Sequence, residues 1–438
     1  MKFKLTPVLF STFLSPAIPA AFFLFGLTFL FAIVHIAGFA WNFNATVIFY
    51  SSLFVWVVLL TWLRREVPYA FGLIDALFLL FIATVVASTL VHGYLSETVK
   101  NQIYYLPFMV LAPYQCGRLM CSADISLLSK ITICMGLAVL LLMLIDFLVS
   151  PSTEAGRWPF FGLDHGPLLV ASLLSITLIS ISAKVVASSS EQKNVVYTVF
   201  FTFISILIIV LVWVKARGFF FISIVGVFIL AWSAKNRDIN IRLGLVIFVL
   251  AISVIALKAL PEADISFYEK LLSHPHISSM SIEHKEAPIL GLDSCKPFEE
   301  SENSTAMRWV LYQEAVAIFI VKPLFGIGAG RFGDRSCTGS GGFPHSTVLQ
   351  SFSELGIVGG CTLLGLLFVS ILTLVRKCIF IQHNVATTEA VFVLGLFVTF
   401  LLLDQIYGNY FMMVGSSLML GITARIEIEN KKACEVYG

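Results

Sequence analysis

Three short stretches of this chain carry residue types able to do polar chemistry in otherwise apolar surroundings. In Lys215-Ala216-Arg217-Gly218, two cations occupy a turn between strongly apolar runs. A guanidinium there can hold phosphate oxygens through a planar donor fork, and it stays charged at every physiological pH. A lipid phosphate or a pyrophosphate is the obvious anion; the simpler alternative is a side chain reaching for headgroups. Further on, Arg308 and Tyr312 stand four residues apart, which gives them adjoining positions on a helix. Finally, Phe343-Pro344-His345-Ser346 leads into another apolar run. Pro344 disfavours helix before it, so His345 is expected at or just before a helix start. The positive end of that helix disfavours imidazolium, and a neutral imidazole can take a proton from a hydroxyl group. A lone interfacial histidine also serves as a helix cap or a headgroup contact.

The elements that must position these residues are membrane helices. Of the 438 residues, 58% are hydrophobic and only 12% charged, against about 25% charged in soluble domains, which excludes a large soluble enzyme. The net charge of +2 offers no basic surface for nucleic acid. Apolar runs near the length needed to cross a bilayer predict an all-α integral membrane protein with twelve spans. They fall at 17–38, 44–63, 71–91, 102–116, 127–149, 166–187, 195–214, 218–234, 241–259, 353–375, 388–406 and 409–425. Pro107 and Pro113 make the fourth the weakest. The first has no small-residue cleavage site and reads as a retained span. With the N-terminus inside, the inner segments collect 16 Lys and Arg and the short outer loops four, so both termini are expected in the cytoplasm. This divides the chain into an N-terminal bundle (1–259), a long outer loop (260–352), and C-terminal helices with an inner tail (353–438). Within the loop, Ser304–Val321 reads as an amphipathic helix with Met307, Leu311, Ile318 and Phe319 on a membrane- or protein-facing side. A glycine-rich turn follows at 326–333.

Other signals are weaker. Cys295 and Cys337 share the outer loop, where a bridge closing just over 40 residues would stabilise it by about 4 kcal/mol on the chain-entropy model; two free thiols are the alternative. Cys134 and Cys361 are expected to be small buried hydrophobes. His274, His276 and His284 fit no zinc spacing, and no metal site is expected. Glu299, Glu300 and Glu302 read as a solvated face. Asn303-Ser304-Thr305 matches a glycosylation pattern that is frequent by chance. Gly326-Ile327-Gly328-Ala329-Gly330 lacks the strand and helix that frame a dinucleotide loop. Asp75 and Asp146, inside or near the ends of apolar runs, are either parts of an ion pathway or helix-packing groups, and the second reading is favoured.

Taken together, Ala216-Arg217-Gly218 between two spans, Arg308-Trp309-Val310-Leu311-Tyr312 leading to Lys322-Pro323-Leu324-Phe325-Gly326-Ile327-Gly328-Ala329-Gly330-Arg331-Phe332, and Pro344-His345-Ser346 leading to Glu354-Leu355-Gly356-Ile357-Val358-Gly359 resemble the bacterial O-antigen ligase and O-antigen polymerase family. The likeness is sharpest over about 200–365. It implies a glycosyltransferase of the bacterial inner membrane, acting on the periplasmic face in lipopolysaccharide biosynthesis. Its donor would be an undecaprenyl-pyrophosphate-linked glycan, and it would need no metal or other cofactor. By position, Arg217 and Arg308 would bind the donor pyrophosphate, with Lys215 and Tyr312 nearby, and His345 would activate the acceptor hydroxyl. Asp404 falls where relatives carry a functional acid. The residue after the histidine is commonly Asn in the family and is Ser346 here.

On that resemblance the acceptor is lipid A-core for a ligase, narrowly preferred, or a second lipid-linked glycan for a polymerase; transfer to a protein is a third option. Direct attack opposite the leaving pyrophosphate would invert the anomeric centre. A multi-span lipid or solute transporter is the competing class, but it would place polar groups near mid-membrane, whereas these gather at the outer boundary.

Overall fold

A computed structural model describes residues 14–36, 43–64, 70–92, 105–149, 166–187, 304–335, 343–380, 386–405, 408–410 and 413–437. Among these residues the regular structure is helical throughout, with no strand. The helices are α1 (Ala17–Ala21), α2 (Leu27–Ile36), α3 (Phe43–Leu63), α4 (Leu73–His92), α5 (Ala112–Arg118), α6 (Ser122–Val149), α7 (Gly166–Ala187), α8 (Ser304–Val321), α9 (Phe332–Arg335), α10 (Thr347–Phe380), α11 (Ala386–Asp404) and α12 (Val414–Tyr437). Among the described residues, four stretches are long and apolar enough to cross a membrane: Thr46–Leu63, Leu73–His92, Ser122–Met143 and Thr347–Cys378. The spans expected at 195–214, 218–234 and 241–259 lie outside the described residues.

The stretch weakened by prolines is short for a physical reason. Pro107 lies in the first turn of π-helical Leu106–Leu111, where a missing N–H is tolerated, and Pro113 falls where the π-helical turn passes directly into α5. Against α5 packs α12, at the closest approach the backbone allows. A Cβ on Gly117 would meet the Leu418 carbonyl oxygen at 2.3 Å, and one on Gly421 the Tyr114 carbonyl oxygen at 2.0 Å. Small residues bring membrane helices together in this way.

Buried polar groups lock one end of the bundle. Asp75, in the first turn of α4, accepts from Arg118 Nε at 2.7 Å and Nη2 at 3.0 Å, from Tyr114 Oη at 2.7 Å and from the Gly72 N–H at 2.9 Å. Glu427 of α12 receives the Leu73 and Ile74 N–H groups at 3.1 and 3.2 Å, a carboxylate placed at the positive end of α4. Nearby, Asp124 accepts from Arg64 Nη1 at 3.0 Å and Ser15 Oγ at 2.5 Å. Asp75 is therefore a helix-packing group. Asp146 is buried on α6.

Cys134 and Cys361 are exposed, contrary to the expectation of burial, while Cys116 and Cys378 are buried. In a bilayer the outer surface of the bundle is as apolar as its interior, so hydrophobicity alone does not send a side chain inward.

Candidate functional site

The site is built where α8, the glycine loop and the start of α10 meet the far end of α4. Leu311, Ala315 and Ile318 of α8 are buried in a small core with Ile327 and Phe332, against which Leu349 of α10 packs. Phe319 meets Phe352 edge-on at 5.2 Å between ring centroids. The face of α8 marked by Leu311 and Ile318 is thus protein-facing.

From α8 the chain passes through Lys322–Phe325 into the glycine loop, which folds over Glu354. The Glu354 carboxylate is buried, and all four of its partners are donors: the Gly330 N–H at 2.7 Å, the Phe332 N–H at 3.0 Å, Gln350 Nε2 at 3.3 Å and Tyr410 Oη at 2.5 Å. That is the complement an ionised carboxylate requires. Backbone pairs add Ile327 N–H to the Ser353 carbonyl at 3.1 Å, Gly328 N–H to the Glu354 carbonyl at 2.9 Å and Ile357 N–H to the Pro323 carbonyl at 2.7 Å. The contact needs glycine on both sides. Gly356 (φ 68°) breaks α10 with a kink, and a Cβ there would lie 2.3 Å from the Leu324 carbonyl oxygen. A Cβ on Gly326 (φ 64°) would strike the Glu354 backbone at 2.3 Å. The loop is also tied to α4: Ala329 N–H donates to Ser88 Oγ at 3.0 Å, and Arg331 Nη2 donates to the His92 carbonyl. Asp75 and His92 lie near opposite ends of α4, so the polar lock and this site are separated by most of the helix's length, about 20–25 Å at 1.5 Å per residue.

His345 sits two residues before the first residue of α10, and it alone among the described non-glycine residues has a positive φ, 52°, a conformation that costs energy unless its surroundings impose it. Those surroundings are specific. Ser346 caps α10, its Oγ receiving the Leu349 N–H at 3.3 Å and donating to Gln405 Oε1 at 2.7 Å. Gln405 Nε2 donates to Thr347 Oγ1 at 2.7 Å, and the Gln405 carbonyl accepts from Tyr312 Oη at 3.0 Å. Gln405 thereby links α8 to the residues that follow the histidine. Ser346 thus makes both a cap and a side-chain bond.

Electrostatics connect the same residues. Burial, and after it the positive charge of Arg308, push the His345 imidazole down to about 4. Burial raises the Tyr312 phenol, and the Arg308 charge opposes that rise. The cause of a neutral His345 is therefore burial and a neighbouring guanidinium, ahead of the helix end from which neutrality was expected. His345 Nδ1 has no hydrogen-bond partner among the described residues, and its ring lies 4.3 Å from that of Phe343. Arg308, Tyr312 and His345 are thus brought into one neighbourhood. Asp404 adjoins Gln405 in the chain and accepts from Ser416 Oγ. Arg217, Lys215, Cys295 and Cys337 lie outside the described residues.

Two residues to which the sequence assigned no role hold this arrangement, Glu354, named only as part of a motif, and Gln405. Glu354 carried a signal, an acid in the first turns of a long apolar helix. Gln405 carried almost none beyond being polar at the end of one.

Chemically, a guanidinium whose charge acts on a neutral imidazole can bind an anion while that imidazole accepts a proton. Residues 200–364 match the family model described as O-antigen ligase. This segment belongs to the O-antigen ligase family. The match contains Arg217, Arg308, His345 and the Gly356 kink, and it ends before Asp404 and Gln405. No curated protein matches the chain. The family match and the four apolar helices among the described residues are features of a multi-pass membrane protein similar to O-antigen ligases.

Proposed function

We propose that the chain transfers a glycan from undecaprenyl pyrophosphate to a hydroxyl acceptor at the periplasmic face of the bacterial inner membrane, as an O-antigen ligase acting on lipid A-core. The observation that carries this reading is the pairing of Arg308 with a neutral His345 on elements joined through Tyr312, Gln405 and Ser346. In this reading the chain has twelve spans, both termini cytoplasmic, and the site lies at the outer end of α4.

Arg308, with Arg217 and the adjacent Lys215, grips the donor diphosphate. As the acceptor oxygen attacks the anomeric carbon, the bond from that carbon to the phosphate oxygen breaks. Its electron pair leaves on the diphosphate, where the guanidinium groups stabilise the growing charge without a metal. The acceptor proton passes to His345. An imidazole pushed down to about 4 is a weak base toward a free alcohol. It becomes effective as the attacking hydroxyl acidifies in the transition state, and as the diphosphate offsets the Arg308 charge. One displacement with no covalent glycosyl intermediate inverts the anomeric centre. Asp404 is a further polar group at this end of α11, and Cys295 with Cys337 would brace the outer loop if bridged.

The test is purified protein given a lipid-linked glycan together with either lipid A-core or a second lipid-linked glycan. Product on lipid A-core supports the ligase, and a lengthened lipid-linked glycan supports the polymerase. In the productive assay, Arg308→Ala and Arg217→Ala should each lower transfer by about 100-fold or more, the scale of losing a group that stabilises transition-state charge, with normal membrane insertion. Full activity in either variant would remove that arginine from donor binding.

A further inference from the structure

The outward side of α8 and the turn after it are apolar. Trp309, Val316 and Ile320 form one stripe of α8, and Leu324 and Phe325 extend it; Ile320, Leu324 and Phe325 are 70%, 62% and 69% exposed. These residues are distinct from the set that packs inside. Leaving so much apolar surface in water is costly.

The depth of this patch follows from α10. Arg376 and Lys377 near its end belong among headgroups. Counting back about 20 residues at about 1.5 Å each crosses a hydrocarbon core of about 30 Å. That count ends beside the kink at Gly356, where the straight span begins. The Pro323 carbonyl is hydrogen-bonded to the Ile357 N–H, which sets Leu324 and Phe325 level with the first turn of the span. Ile357 and Val358 in that turn are themselves exposed, so the loop's apolar surface continues the lipid-facing surface of α10.

We propose that Leu324 and Phe325, with Ile320 and Trp309 behind them, are seated in the acyl chains of the outer leaflet and hold α8 at the membrane surface. Lys322, exposed beside them, reaches the phosphate layer, and Trp309 takes the interfacial position that indole prefers. The seat fixes Arg308, one residue from Trp309, at headgroup depth, the level at which a lipid-borne diphosphate is presented. This last consequence rests on the proposed transfer reaction; the seating itself does not.

The full-length protein, reconstituted in phospholipid nanodiscs, would carry a genetically encoded fluorescent amino acid in place of Phe325 or, separately, Leu324. Position 368, exposed in mid-span, serves as the comparator. Acyl-chain-brominated phospholipid should remove at least about half the emission at 324 or 325, the behaviour of a group buried about 5–10 Å into the interface, and aqueous iodide should remove little. Stronger quenching by iodide would overturn the proposal by placing the turn in water. Quenching by neither would overturn it by showing that protein, from this chain or a second copy, covers the patch. Because the readout involves no glycan, its result is separate from the fate of the transferase assignment.

Discussion

His345 shows how little of a residue's chemistry is set by its type. An isolated imidazole protonates near neutrality, whereas this one is held down to about 4 by burial first and Arg308 second. In the free enzyme, transfer per donor-acceptor encounter should therefore be insensitive to His345 from pH 8 down to about 5 and should fall as pH drops through about 4; a kcat/KM profile checks this. Removing the guanidinium charge with Arg308→Ala should move the protonation upward, since one of the two depressing causes is gone. Diethylpyrocarbonate modification of His345, followed by mass spectrometry, reads this without needing activity: the variant should lose reactivity at a higher pH than the parent. An unchanged profile would show that the two groups are not coupled. The linkage to stability has the same sign. Unfolded chains bind this proton near 6.5, so acidification from about 6.5 toward 4 favours unfolding, and the contribution is restored as pH rises.

At the scale of elements, the glycine loop and α10 form one unit whose hub is Glu354. Replacing one carboxylate oxygen with an amide NH2 in Glu354→Gln sets a donor against the Gly330 or Phe332 N–H, or against Tyr410 Oη. A buried donor left unsatisfied costs about 1–3 kcal/mol. The loop at 326–332 should become more susceptible to limited proteolysis, and transfer should drop through a lower kcat as Arg308 and His345 lose their fixed relation. Gly356→Ala attacks the same contact from the backbone, since its Cβ would lie 2.3 Å from the Leu324 carbonyl oxygen; a loop that resists protease as well as the parent does would exclude Glu354 and Gly356 as its anchors.

Across the whole molecule, α4 connects two polar centres with opposite duties. One end carries the Asp75–Arg118 pair, both groups 3% exposed, and the other supports the glycine loop through Ser88 and His92. Arg118→Ala strands a buried carboxylate, a loss of about 3–5 kcal/mol. It should lower the unfolding temperature and the yield in membranes while leaving transfer per folded molecule unchanged, because the site stands most of a helix length away. A specific loss of kcat in well-folded Arg118→Ala would show that this end of the bundle takes part in the reaction.

Helical class and the family were legible from residue types and order alone, because bilayer thickness dictates apolar run lengths and because Arg308, the glycine run and Pro344-His345 keep their spacing in the chain. Burial was less legible: Cys134 and Cys361 are exposed, since a lipid environment removes the inside-outside contrast on which such reasoning depends. The links that make Arg308, Tyr312 and His345 one neighbourhood were not written in any local pattern. Gln405 follows His345 by some sixty positions and reaches Ser346 and Thr347, the next two residues, only because α11 returns beside α10. Glu354 acquires its partners only when the Gly356 kink admits the loop. Sequence order determined which groups are available, and three-dimensional packing decided which of them share a hydrogen bond or an electric field, because those interactions depend on distance in space and not on separation along the chain.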